Sequence, residues 1–197
     1  MIKKSSIITI IIVLLIVALS ISLILYFFFS TITITKLSDY EQRKTHFPES
    51  AGVLPKLEEL SDYISIDYEY RRENFLFFTT YTLRLNVTYD KLTYENEKAK
   101  LGEKNYLDHT VKYEYMDEIS NGCLIPEFEF FINSYNFRTL QGEMFYYPKS
   151  IGFIATSDEK NSIAYLYFYD YDLDYISEAD DKGSMEIFIK KHFKYNW

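Results

Sequence analysis

Ser162-Ile163-Ala164-Tyr165-Leu166-Tyr167-Phe168-Tyr169-Asp170-Tyr171 decides the fold class of this 197-residue chain. In an extended strand successive side chains point to opposite faces, so Tyr165, Tyr167 and Tyr169 share one face and Ala164, Leu166 and Phe168 the other. Both faces are apolar, which predicts a central strand covered on both sides. Ser157-Asp158-Glu159-Lys160-Asn161 precedes it as a polar turn and joins it to an antiparallel neighbour over Ile151–Thr156.

Working outward, Ile64, Ile66, Tyr68 and Tyr70 alternate with Ser65, Asp67, Glu69 and Arg71 as in a half-buried strand. A longer run puts Phe75, Phe77, Tyr81, Leu83, Leu85, Val87 and Tyr89 on one face and Thr80, Thr82, Arg84, Asn86 and Thr88 on the other. The polar Arg72-Glu73-Asn74 between the two runs predicts a hairpin turn. Asp90 is placed to cap a helix through about Lys104, with Leu92, Ala99 and Leu101 inward and Glu95, Glu97, Lys98 and Lys100 in water. Further strands are expected at Val111–Tyr115 and Glu127–Asn133. Met185, Phe188, Ile189, His192 and Phe193 recur at i, i+3, i+4, i+7 and i+8, the stripe of an amphipathic helix. Its apolar side is the expected cover for Ala164, Leu166 and Phe168, with Lys190, Lys191 and Lys194 toward solvent. The expected architecture is α+β: a mainly antiparallel sheet of about six strands with two or more helices.

Ahead of this domain, Ile7 to Phe29 is a 23-residue stretch without a charge. As a helix it would be about 34 Å long, against a hydrocarbon core of about 30 Å. A cleaved signal peptide is the competing reading, but its apolar region is shorter and ends in small residues. Here Ala18-Leu19-Ser20 is followed by nine more membrane-compatible residues ending in Tyr26-Phe27-Phe28-Phe29. An uncleaved signal anchor is therefore expected, preceded by a short basic tail, residues 1–6. A lipoprotein is excluded because Cys123 is the one cysteine. Lys3, Lys4 and the terminal amine are balanced by Lys36, Arg43 and Lys44 downstream. The basic pair lies in the tail directly against the helix, and the chain beyond the anchor is acidic. This favours a single-pass topology with the amino terminus inside and an extracytoplasmic domain at the cell membrane.

Residues 30–53 read as a connector. Thr31-Ile32-Thr33-Ile34-Thr35 alternates like a short strand, Lys36 to Ser50 is mostly polar, and Pro48 and Gly52 break regular structure. Packing of this segment as the first element of the domain is the alternative. The folded domain is then expected over residues 54–197.

Composition removes several classes. Twenty Tyr and 16 Phe accompany 6 Gly, 4 Pro and 1 Cys, which excludes collagen-like, proline-rich and disulfide-scaffold chains. A net charge of −8 without a basic patch argues against a nucleic-acid partner. Nucleophile-elbow, zinc-protease, phosphate-loop and dinucleotide motifs are absent. His46, His109 and His192 lack metal-ligand spacing, His192 belongs to the helix stripe, and Cys123 sits beside Leu124 and Ile125 as a small hydrophobe. Starting at Asp170, carboxylates fall at Asp170, Asp172, Asp174 and Asp181. The glycine that a calcium loop needs at its sixth position is Tyr175, so no metal site is expected. The tyrosine faces read as core before they read as a binding platform. No catalytic, cofactor-binding or metal residue is assigned.

Leu54-Pro55-Lys56-Leu57-Glu58-Glu59-Leu60, Tyr81-Thr82-Leu83-Arg84, Tyr147-Pro148-Lys149-Ser150 and Ala164-Tyr165-Leu166-Tyr167-Phe168-Tyr169-Asp170 resemble stretches of uncharacterised single-pass anchored proteins of low-GC Gram-positive bacteria. The resemblance implies a bacterial envelope setting and carries no activity or functional residue. The expectation is a membrane-anchored, non-enzymatic, tyrosine-rich domain that binds another envelope protein or a peptide, with the lipid bilayer as partner of residues 7–29. The alternatives are a membrane-tethered, hydrolase-like enzyme with dispersed active-site residues and a cytoplasm-facing anchored regulator.

Overall fold

Helix α1 (Lys4–Phe28) carries Ile, Leu, Val and Phe around its whole circumference, and its apolar window Ile10–Phe28 buries nothing against the rest of the protein. A helix hydrophobic all round needs an apolar surrounding. Its length and composition are those of a membrane span, and a signal sequence meets the same criteria. The computed structural model describes residues 4–47, 52–76, 78–108, 127–140, 150–170 and 185–197. The strand expected at Val111–Tyr115, His109, Cys123 and the acidic run from Tyr171 to Asp181 lie outside them.

The other described α-helices and β-strands are β1 (Thr31–Ile34), α2 (Tyr40–Lys44), β2 (Ser65–Phe75), β3 (Phe78–Thr88), α3 (Lys91–Leu101), β4 (Glu129–Ile132), β5 (Tyr135–Thr139), β6 (Ser150–Ser157), β7 (Ser162–Asp170) and α4 (Met185–His192). The strands form one antiparallel sheet in the order β1-β2-β3-β7-β6-β5-β4. The α+β class is as the sequence implies, with seven strands rather than about six.

Strand β7 lies at the centre of the sheet. Its Tyr165 and Tyr167 are buried among Tyr68, Tyr70, Leu83, Leu85 and Val87 on one face. Ala164, Leu166 and Phe168 are buried on the other among Phe137, Phe153, Met185, Phe188, Ile189 and Phe193. Helix α4 is thus the cover of the second face, its stripe docked as the spacing predicts. The Phe168 and Phe188 rings meet edge to face with centroids 5.0 Å apart.

Four expectations are corrected. First, residues 30–53 are no connector. β1 is an edge strand, from Thr31 opposite Glu73 to Ile34 opposite Tyr70, and Tyr40, Phe47 and Val53 belong to the first core. The boundary before residue 54 cuts through packed structure. Gly152 shows how closely: a Cβ there would lie 2.5 Å from Val53 Cγ2. Burying Tyr40 and Phe47 recovers more free energy than a polar, charged segment is expected to offer, because two large aromatics dominate its few apolar positions.

Second, the β2–β3 turn is not Arg72-Glu73-Asn74. Pairing runs on to Phe75 opposite Phe78, leaving two residues to reverse the chain. Leu76 takes φ 55, which a two-residue turn demands and for which Asn or Gly is the usual choice. The apolar tip hid the turn.

Third, α3 starts where Asp90 predicts, with Oδ1 accepting from Leu92 and Thr93 N–H, but its buried face is Tyr94, Glu97 and Leu101. Leu92 is 73% exposed and Ala99 is also exposed. Glu97, expected in water, is buried, accepts from Ser61 Oγ and pairs with Lys100. Tyr94 outweighs Leu92 in buried area, and the two lie about 200° apart on the helix. Fourth, β5 was not anticipated. It pairs with β4 across a turn in which Asn133 has φ 50.

Candidate functional site

The two faces of the sheet are covered unequally. The first core lies over β2, β3, β7 and part of β6, and beyond it the same face of β4, β5 and β6 displays Glu129, Asn136, Arg138 and Thr156. These residues are strand alternates of the buried Phe130, Phe137 and Ala155, so pleating alone turns them outward. The register sets Glu129 opposite Arg138, Asn136 opposite Thr156 and Arg138 opposite Ile154.

The carboxyl end of α3 and residues 106–108 rise beside this surface and close a cleft of about 420 Å³. Leu107 N–H donates to Thr139 C=O at 2.9 Å, and Tyr106 forms a bridge with Leu140, which seats the wall against β5. The Arg138 guanidinium lies 3.7 Å from the centroid of the Tyr106 ring. Such a cation over an aromatic face contributes about 0.5–1 kcal/mol at an exposed site and fixes an otherwise mobile side chain. No carboxylate among the described residues lies within ion-pair distance of Arg138.

Lys98 on the opposite wall differs. It pairs with Asp158 at 2.5 Å, and Tyr94 Oη donates to the same carboxylate at 2.5 Å. These two bonds hold the Asp158 carboxyl below its ordinary range. Glu129 Oε1 accepts from Asn136 Nδ2 at 2.7 Å, while Asn136 Oδ1 is buried and makes no hydrogen bond among the described residues. Arg138 is thus a charge of the cleft without an ion-pair partner among the described residues, while the Asn136 side-chain oxygen is buried.

One rim of the cleft is β4, which ends the sheet and pairs on one side only among the described residues. Phe131 on β4 and Phe128 just before it are 65% and 41% exposed. Exposed aromatics beside a strand that pairs on one side only among the described residues match the arrangement by which sheets accept an added strand.

The histidines fall elsewhere. His46 is exposed and its ring lies tilted against Tyr70, 6.1 Å between centroids. His192 is buried between Phe168 and Phe188, at 4.7 and 4.6 Å, more deeply than a half-buried helix position implies. Burial first, then Lys191, Arg71 and Lys194, push its pKa down to about 3. Among the described residues no group of three His, Cys, Asp or Glu side chains is arranged to hold a metal ion. The tyrosine faces of β2 and β7 are interior, so the platform they could have formed is core. None of the cleft residues was singled out from sequence as a site. The available signal was β5, whose Tyr135, Phe137 and Thr139 point in while Asn136 and Arg138 point out.

Comparison of the chain with family models, curated proteins and solved structures returns no match.

Proposed function

We propose that the protein is a membrane-anchored, non-enzymatic envelope domain that binds an extended segment of another protein or a peptide along β4 and the adjoining cleft. α1 serves as the uncleaved anchor, the domain faces away from the cytoplasm, and the setting is the bacterial envelope that the sequence resemblance implies. The observation that carries the binding reading is the juxtaposition, among the described residues, of a β4 edge without a second partner strand, exposed Phe128 and Phe131, and Arg138 over Tyr106 without an ion-pair partner. Backbone hydrogen bonds to an edge supply affinity, and neighbouring pockets supply specificity. Arg138 favours a segment carrying a carboxylate.

The test is a photo-reactive phenylalanine at position 131 of the full chain in the cells that make it, with position 64 as the control. One discrete protein adduct at 131, absent at 64 and weakened about tenfold by Arg138→Glu, supports the reading; a tenfold loss corresponds to about 1.4 kcal/mol. Equal labelling at both positions, or an adduct indifferent to Arg138→Glu, rejects it.

A further inference from the structure

The β2–β3 hairpin reaches its tip at Phe75 and Leu76, large apolar residues where hairpins ordinarily carry Asn, Asp or Gly. Leu76 holds φ 55 to make the turn, a conformation unfavourable for a side chain of its kind. Phe75 and Leu76 are 55% and 43% exposed. In water such a tip gains nothing for that strain.

Its position explains it. Leu76 N–H donates to the Phe28 carbonyl at the end of α1 at 2.8 Å, and Asn74 N–H donates to the Ser30 carbonyl at 2.8 Å. Asn74 Nδ2 also donates to Ser30 Oγ at 2.8 Å, and the Phe29 and Phe75 rings meet edge to face at 5.3 Å. The tip is therefore level with the last turn of α1, whose Tyr26, Phe27 and Phe29 are themselves exposed. Aromatic residues at the end of an apolar helix mark the depth of the bilayer interface. Arg72 stands three residues up β2 from Phe75, about 10 Å along the strand.

We propose that the β2–β3 hairpin tip is a second membrane contact, inserted into the interface of the bilayer that α1 spans and holding the domain in a fixed attitude on the lipid surface. The inference rests on the reading of α1 as a membrane span. The occupant is lipid rather than a second copy of the chain because the hydrogen bonds to α1 set the tip at membrane depth in every molecule. The net charge of the chain is negative, so apolar burial, not attraction to anionic lipid, drives the contact.

The test uses the full chain with Cys123→Ser, reconstituted in phosphatidylcholine nanodiscs. One polarity-sensitive fluorophore is attached at a time through Leu76→Cys, Leu19→Cys or Ile64→Cys, and Phe75→Cys repeats the tip measurement. Lipid carrying a spin label near the headgroup should quench the position-76 probe about twofold, as expected of a group in the interface. Aqueous iodide should leave the position-76 probe nearly untouched, and the Ile64 probe should behave in the opposite way. A position-76 probe open to iodide while the Leu19 probe is quenched by lipid overturns the hairpin contact and leaves the anchor standing. Iodide access at both positions overturns the anchor reading as well. A position-76 probe shielded from iodide yet unquenched by lipid overturns the proposal in favour of a protein contact.

Discussion

Asn86 Nδ2 donates to Tyr195 Oη at 2.5 Å, joining residues 109 positions apart in the chain. The Arg84 guanidinium lies 4.4 Å from the centroid of the same ring and pairs with Asp67 at 2.9 Å. Asn86 Oδ1 in turn accepts from Ser162 Oγ at 2.8 Å. Thr82, Arg84 and Asn86 are all buried, so the β3 side of the second face is polar and closed by the carboxyl-terminal tail.

Tyr195→Phe removes one hydroxyl from this network and leaves the Asn86 amide without its acceptor. An unsatisfied buried donor costs about 1–3 kcal/mol. Urea unfolding of the full chain in detergent should show a loss in that range, with Trp197 fluorescence reporting loosening of the tail. An unchanged midpoint would mean that water replaces the hydroxyl and that the tail is not locked through Asn86.

Phe188 is 1% exposed and contacts the Phe168 and Phe153 rings. Phe188→Ala should lower stability by about 3–5 kcal/mol, the cost of emptying a core aromatic site. A loss under about 1 kcal/mol, typical of surface positions, would show that α4 is not held on the sheet through Phe188.

His192 is held neutral, its pKa pushed from 6.5 down to about 3 by burial. The unfolded chain binds a proton below pH 6.5 that the folded chain refuses. Stability is therefore fully present above pH 6.5 and falls as the pH drops toward 3. At about 1.4 kcal/mol per unit, the loss between pH 6.5 and 5 is about 2 kcal/mol. His192→Gln should flatten this slope; an identical slope in the variant would assign the acid sensitivity to other groups.

Gly152→Ala adds a methyl group where Val53 Cγ2 would stand 2.5 Å away. Overfilling of this kind costs about 1–3 kcal/mol. Val53→Ala in the same chain should recover most of the loss by making room, and failure of that rescue would show that Val53 is not what presses on Gly152.

A fragment beginning at Ser30 retains β1, Tyr40 and Phe47 and should unfold cooperatively. One beginning at Leu54 loses two buried aromatics, each worth about 3–5 kcal/mol, against a total stability of about 5–15 kcal/mol. Broad, non-cooperative melting is expected of the shorter fragment, and a sharp transition for it would restore residues 30–53 to the role of connector.

Local chemistry by itself determined the elements whose patterns have one reading. The two apolar faces of Ala164–Tyr169 require cover on both sides, the Met185–Phe193 stripe supplies one cover, Asp90 starts a helix, and the uncharged stretch to Phe29 makes α1. Tertiary structure decided what depends on competition between partners. Tyr94 rather than Leu92 faces inward because a ring buries more area, and Glu97 follows Tyr94 into contact with Ser61. Tyr40 and Phe47 pull a polar segment into the core because the tyrosine face of β2, β3 and β7 needs a lid. The cleft draws its walls from α3 and its floor from β4, β5 and β6, residues 98 to 156, so no local pattern contains it. The apolar turn at Leu76 conflicts with turn chemistry in water, and only its hydrogen bond to Phe28 places the tip beside the end of α1.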